Sequence, residues 1–246
     1  MAGTTYDSAT AAAYRAAREI PLDGLAHWRE AVAAHAAPGP DSTVLDVGAG
    51  TGMFAVAFQQ WFGARVVAIE PAEAMRAAIP AGPGIEVLDG HAGALPVPDA
   101  GADLAWLGSV LHHIPDLDAA ARELRRALRP GAPVLIRNAF PGRCGRDLRV
   151  RYFPGAERVI DTYRTVEEVC SVFAGAGFAK VAVEAVPHRA APSLAQFAAG
   201  VRRESDSKLR AISDEEFEEG MARLRAEAAA GPDEPAMSWL DLLVLA

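Results

Sequence analysis

Only two cysteines, Cys144 and Cys170, stand among the 246 residues. That scarcity excludes a disulfide framework, and without any Cys-x-x-Cys or Cys/His spacing it excludes a zinc site. Both read as ordinary reduced thiols. Long apolar runs are missing too: each is broken by glycine, proline or charge well before the roughly 18 residues a membrane span requires. The first residues, MAGTTYDSATAAAYRAARE, lack the basic-then-apolar order of a secretory leader. A cytoplasmic location follows as the expectation. Basic charge is also in short supply, 24 Lys and Arg against 32 Asp and Glu, for a net charge of -8. A chain so charged has no sequence-independent grip on phosphate backbones or anionic lipid, so neither nucleic acid nor membrane is an expected partner. Internal repeats and low-complexity tracts are absent.

What remains is an apolar half, 51% of residues, enough to build one substantial core. From Ser42 onward short β-like runs alternate with helical ones, the arrangement of a parallel sheet covered by helices. The strand candidates are 43–47, 65–70, 84–90, 102–108, 132–140, 178–186 and 237–246. Between them Asp116 can N-cap a helix whose Leu117, Ala121, Leu124 and Leu128 form one stripe, stopped by Arg129-Pro130-Gly131. Thr165-x-x-Glu168 and Ser213-x-x-Glu216 are capping boxes, the second with Ile212 and Phe217 placed for a hydrophobic staple. Three parts lie outside the alternation: residues 1–41, an arginine-rich connection at 141–164, and a helical segment at about 192–230. In open α/β sheets ligands bind at the carboxyl ends of the strands, and loops there choose the substrate. Residues 1–41 therefore read as an N-terminal helical cap, and the two later segments as lids inserted in a domain spanning 42–246.

The stretch Val44 to Ala55, VLDVGAGTGMFA, packs three glycines into five positions between two apolar runs. Such a loop lets a ligand approach bare backbone and offers it the unpaired N–H groups of the next helix. Gly50-x-Gly52-x-x-Ala55, with Glu70 about 20 residues on, fits a dinucleotide site, which keeps an NAD-dependent oxidoreductase open as an alternative. Asp46 points the other way. A carboxylate beside the loop repels a pyrophosphate and favours an ammonium or sulfonium group.

The whole VLDVGAGTG resembles the first motif of the class I S-adenosylmethionine-dependent methyltransferases. Three further blocks follow in the same order: AIEP at 68–71, GHAGALPVPDAGADLAWLGSVLHHIPD at 90–116, and ELRRALRPGAPVLI at 123–136. The likeness is to the ubiquinone/menaquinone-biosynthesis-like subgroup, methyltransferase type 11. It implies a Rossmann-like, mostly parallel seven-stranded sheet with helices on both faces, the last strand antiparallel, and S-adenosylmethionine as cofactor, with S-adenosylhomocysteine as product. It also implies roles. Asp46 would face the methionyl amino group, and Gly48, Ala49, Gly50 and Gly52 would offer backbone to the methionyl and ribose part. Glu70, followed by Pro71, would accept the ribose hydroxyls. His91 and Ala92 would edge the adenine, although the family usually has Asp where His91 stands. Leu107, Gly108 and Ser109 would line the pocket at the fourth strand's end, and Tyr14 and Arg18 would close over the methionine end.

His112 and His113 stand just after the fourth strand, where a methyl acceptor should approach, and an imidazole can take a proton at neutral pH. His113 is the stronger candidate base and His112 the likelier structural histidine. Arginines at 141–164 can place a guanidinium over an anionic acceptor, although a solvated face is their commoner role. The implied activity is methyl transfer to an oxygen or nitrogen, or else a carbon, of a small, anionic or aromatic acceptor. A methyltransferase-like protein that binds the cofactor but catalyses another reaction is the remaining alternative.

Overall fold

The computed structural model describes residues 22–246. All seven strand candidates form one sheet: β1 Thr43–Val47, β2 Arg65–Ile69, β3 Ile85–Leu88, β4 Leu104–Gly108, β5 Val134–Asn138, β6 Lys180–Ala191 and β7 Ala236–Leu245. Their order is β3-β2-β1-β4-β5-β7-β6. β1 to β5 run parallel, while β7 lies antiparallel between β5 and β6. The expectation of one antiparallel last strand in a mostly parallel sheet is met. The strand order reverses between β1 and β4, so a crevice opens at their carboxyl ends.

Alternation along each strand sorts side chains between two cores. Leu45, Val47, Ala105, Leu107, Val134 and Ile136 face one, covered by α4 (Leu117–Ala127) and α7 (Val166–Gly175). Val44, Leu104, Trp106 and Leu135 face the other, covered by α1 (Ala26–His35) and α2 (Met53–Phe62). A single turn, α3 (Glu73–Arg76), follows β2. Asp116 caps α4 by accepting the Ala119 N–H at 2.8 Å. Both capping boxes close, at Thr165 with Glu168 and at Ser213 with Glu216.

The two inserted segments fold together. Residues 141–164 hold α5 (Leu148–Tyr152) and α6 (Gly155–Ile160), and residues 192–230 hold α8 (Leu194–Gly200), α9 (Ser207–Arg210) and α10 (Asp214–Ala230). Leu148, Phe153, Phe197, Leu209, Ile212 and Leu224 make one shared apolar cluster, with Phe217 packed on it as the staple requires. Most arginines of the connection are committed here. Arg149 pairs with Asp206 at 2.7 Å, Arg151 with Glu227 at 2.5 Å and Arg158 with Glu216 at 2.5 Å. Arg143 pairs with Asp241 at 2.8 Å. Three of these pairs join the two segments to each other, and the fourth ties the connection to β7.

Among the described residues no helix is long and apolar enough to cross a membrane, and no group of His, Cys, Asp and Glu could hold a metal. Cys144 and Cys170 are free thiols, and burial pushes the Cys144 thiol up to about 11.

Candidate active site

β1 ends at Val47, and the chain then turns through Gly48, Gly50 and Gly52 with φ of 73°, 58° and 83°. At two of these positions glycine is required for space as well as conformation. A Cβ on Gly48 would collide with Val110 Cγ2, and one on Gly52 would lie 2.7 Å from Ile79 Cγ2. A Cβ on Gly50 meets nothing within 4 Å, so at that point bare backbone faces open space. The Ile69 carbonyl anchors the loop by accepting the Gly48 and Ala49 N–H groups at 2.8 and 3.1 Å.

Glu70, directly after β2, does the rest. One carboxylate oxygen accepts the Gly50 N–H at 2.8 Å and the other the Ala72 N–H at 2.9 Å. It therefore stitches the glycine loop to the turn after β2. Burial raises the Glu70 carboxyl above its ordinary range, against the pull of those two N–H donors and of Arg76.

Asp46 is 2% exposed, and its Oδ2 is buried without a hydrogen-bond partner among the described residues. Burial first, and the Glu70 charge second, push its carboxyl up to about 7; the Ala55 N–H lowers it by less. A native fold leaves a buried carboxylate oxygen unsatisfied rarely, and such an atom calls for a cationic or donor partner. Two acids bracketing the loop make a poor seat for a pyrophosphate and a good one for an ammonium.

Asp46 opens on a cavity of about 670 Å³, within the range of small-molecule sites. It passes the glycine loop, Trp106, Gly108 and Ser109, and continues to Arg137 at the end of β5 and His188 on β6. Alternation places Asp46, Trp106 and Arg137 on the same face of the sheet, with His188 opposite Ser238 further along it. Helix α1 roofs this row: the Trp28 ring meets Trp106 edge-on at 5.9 Å and lies 6.5 Å from the His188 ring.

Of the residues expected at the site, Asp46, Gly48, Ala49, Gly50, Gly52 and Gly108 line the cavity. Glu70 stands behind the loop. Leu107 is corrected: one position after Trp106, its side chain turns into the opposite core. Ala92 is likewise buried in that core, while Pro71, after β2, and His91, after β3, are exposed and outside the cavity. His91 Nδ1 accepts the Gly93 N–H at 3.2 Å. Tyr14 and Arg18 lie outside the described residues. The two histidines take different positions. His112 lines the cavity and stacks on Tyr163 with ring centroids 4.6 Å apart at 7°. His113 is exposed and outside it. The short 3-10 turn Leu111–His113 explains this, since its 120° step sends neighbouring side chains in different directions.

The family model described as "Methyltransferase domain" matches residues 45–136, the segment from β1 through β5. Over residues 45–136 the chain is similar to the class I methyltransferase domain. The unsatisfied Asp46 oxygen and the open Gly50 backbone suit the S-adenosylmethionine such domains take. The chain is 39% identical over 111 residues to a demethylmenaquinone methyltransferase of Roseiflexus castenholzii, covering 44% of this chain and 47% of that one. It is 36% identical over 121 residues to the ubiquinone/menaquinone biosynthesis C-methyltransferase UbiE of Caulobacter sp., covering 44% and 48%. The chain thus spans about half the length of the curated relatives it matches. A crystal structure of a putative methyltransferase from an antibiotic biosynthesis pathway of Anabaena variabilis superposes with a TM-score of 0.65. It is 20% identical, over 89% of this chain and 96% of that one, a likeness of fold. The matched segment supplies the glycine loop, Asp46, Glu70 and His112. β6 and the inserted helices, outside the matched segment, supply the far end of the cavity.

Proposed function

We propose that this protein transfers a methyl group from S-adenosylmethionine to an oxygen or nitrogen atom of a small molecule held in the cavity beyond Asp46. The observation that carries the reading is the buried Asp46 oxygen without a partner, facing a cavity that extends well past the glycine loop. Asp46 would receive the cofactor's amino group. The backbone of Gly48, Ala49, Gly50 and Gly52 would meet its methionyl and ribose part, and Glu70 its ribose hydroxyls. Pro71, His91 and Ala92 lie on the side where the adenine would rest. Bound there, the cofactor supplies a sulfonium methyl that is already electrophilic, so the chain needs no covalent nucleophile.

The work left to the protein is alignment and exclusion of water. Met53, Phe54 and Trp106 make the cavity wall apolar on the α2 side. His112 faces the cavity and can accept the proton that an oxygen or nitrogen nucleophile must lose. The relatives named for carbon transfer make a carbon acceptor the chief competitor.

Separate calorimetric titrations with S-adenosylhomocysteine and NADH test the cofactor. Tight binding of the first and none of the second is expected; the reverse overturns the reading. Mass spectra of products from an acceptor panel test the transfer: a gain of one methyl supports it, and cofactor binding with no methylated product in any case rejects it.

A further inference from the structure

Asp46 and Trp106 are register neighbours on the parallel strands β1 and β4, so their side chains leave one face of the sheet about 4.8 Å apart. Each buries one polar atom without a hydrogen-bond partner among the described residues: the carboxylate Oδ2 of Asp46 and the indole Nε1–H of Trp106. One is an acceptor and the other a donor, yet they do not satisfy each other. Both residues line the cavity beside the glycine loop.

The indole is locked in place. Phe54 and Phe58 of α2 lie 4.5 and 5.4 Å from it, and Trp28 of α1 lies 5.9 Å away, ring centre to ring centre. Trp106 is fully buried, so its N–H cannot swing out to solvent, and a buried donor left unpaired is costly.

Gly108 leaves that N–H uncovered. It ends β4 without a left-handed φ, so the backbone there does not ask for glycine. Space asks for it instead: a Cβ at that position would sit 2.8 Å from Trp106 Nε1 and 3.6 Å from Phe54 Cδ2. A side chain would cap the indole N–H, whereas glycine opens it toward the cavity that Gly108 also lines. The cations of the cavity are engaged elsewhere. Arg137 donates to the Ser109 hydroxyl at 2.9 Å, and Arg149 and Lys208 face Asp206 at 2.7 and 4.0 Å. At the loop the chain therefore offers a fixed neutral donor next to a carboxylate. An α-amino acid carries an ammonium and a carboxylate on one carbon, and this pair is its complement.

Resting on the methyl-transfer reading above, we infer that Trp106 is a cofactor-binding residue. Its indole N–H donates to the carboxylate of the cofactor's methionyl end while Asp46 receives the ammonium. Gly108 is the window through which that bond is made. The bond holds the amino-acid end of the cofactor against the sheet and leaves the cavity beyond Ser109 to the methyl acceptor.

The test is nuclear magnetic resonance of the indole N–H groups, with calorimetry, on the full chain labelled with nitrogen-15 tryptophan. Its four indoles are Trp28, Trp61, Trp106 and Trp239. S-adenosylhomocysteine should move the Trp106 N–H downfield, the direction that a charge-assisted hydrogen bond gives. Decarboxylated S-adenosylhomocysteine, which keeps the ammonium, should leave that resonance near its free position. The ratio of the two affinities should fall roughly tenfold from wild type to Trp106→Phe, whereas Asp46→Asn should weaken both ligands. Circular dichroism checks folding. Should Trp106→Phe not fold, Trp28→Phe, Trp61→Phe and Trp239→Phe assign the resonance by elimination, and the two ligands on the wild-type chain decide. Three results overturn the inference while leaving S-adenosylhomocysteine a ligand: a Trp106 N–H that it does not move, one that the decarboxylated compound moves equally, or an affinity ratio unchanged in folded Trp106→Phe. Failure of the wild-type chain to bind S-adenosylhomocysteine at all would instead sink the methyl-transfer reading, and this inference with it.

Discussion

Ser109 and Arg137 hold each other twice. The Ser109 N–H donates to the Arg137 carbonyl at 2.6 Å, and the Arg137 guanidinium donates to the Ser109 hydroxyl at 2.9 Å. Ser109 sits at φ 59°, in the left-handed region that a residue with a side chain seldom adopts. The two bonds hold that conformation, and the conformation presents the hydroxyl to the guanidinium.

Replacing Ser109 separates these effects. Ser109→Ala keeps the backbone strain and removes the acceptor from a buried guanidinium, for a loss of about 1–3 kcal/mol. Ser109→Gly removes the same acceptor but relieves roughly 1 kcal/mol of strain. Urea unfolding should therefore rank wild type above Gly and Gly above Ala.

The Asp46 carboxyl titrates at about 7 in the fold against an ordinary 3.8. The folded chain thus keeps a proton that the unfolded chain has lost, and the contribution of Asp46 to stability is greatest below about pH 4. It falls as pH rises to about 7 and is level above that, by at most on the order of 4 kcal/mol. Asp46→Asn should flatten that fall and stabilise the cofactor-free chain at pH 8. The same variant should weaken S-adenosylhomocysteine binding, and wild-type affinity should climb between pH 5 and 8 as Asp46 ionises. Denaturant midpoints and calorimetry across that range check both.

Glu70→Gln leaves one of two N–H groups, on Gly50 or Ala72, facing an amide NH₂ where a carboxylate oxygen had accepted. A cost of roughly 1–3 kcal/mol is expected, with a larger loss of cofactor affinity because the loop it fixes is the binding surface. Retained loop order, read as unchanged amide exchange at Gly50, would contradict this.

Gly48→Ala suffers both from φ 73° and from collision with Val110. Val110→Ala should relieve the collision but not the dihedral cost. The double variant is then expected to recover part of the lost stability, with a coupling of at least about 0.5 kcal/mol in a double-mutant cycle.

His112→Ala should lower turnover with an identified acceptor at least tenfold, whereas His113→Ala should stay within about threefold of wild type. Steady-state kinetics of the two variants check the order.

Much of this was legible in the sequence because it depends on local rules. All seven strands, both capping boxes and the glycine loop follow from periodicity and from residues that only certain backbones accept. Arg137 lay within a strand that could be read, yet its role depends on which face it takes, and that is settled by Leu135 two residues earlier pointing into the Trp28 core. His188 was hidden by Pro187, which marks an end to a strand read from sequence. β6 runs through it to Ala191 because β6 is the edge of the sheet, where a missing N–H costs no ladder bond. The pairing of arginines at 149, 151 and 158 with acids more than 50 residues away carries no local signal at all.

The shared cluster of Leu148, Phe153, Phe197, Leu209 and Ile212 has a bearing on how selectivity can change. Neither insertion owns its apolar filling, so grafting one from a related enzyme strands greasy surface on both donor and host. On the methyl-transfer reading, acceptor preference would be inherited as a matched pair of segments, and re-engineering would have to exchange them together.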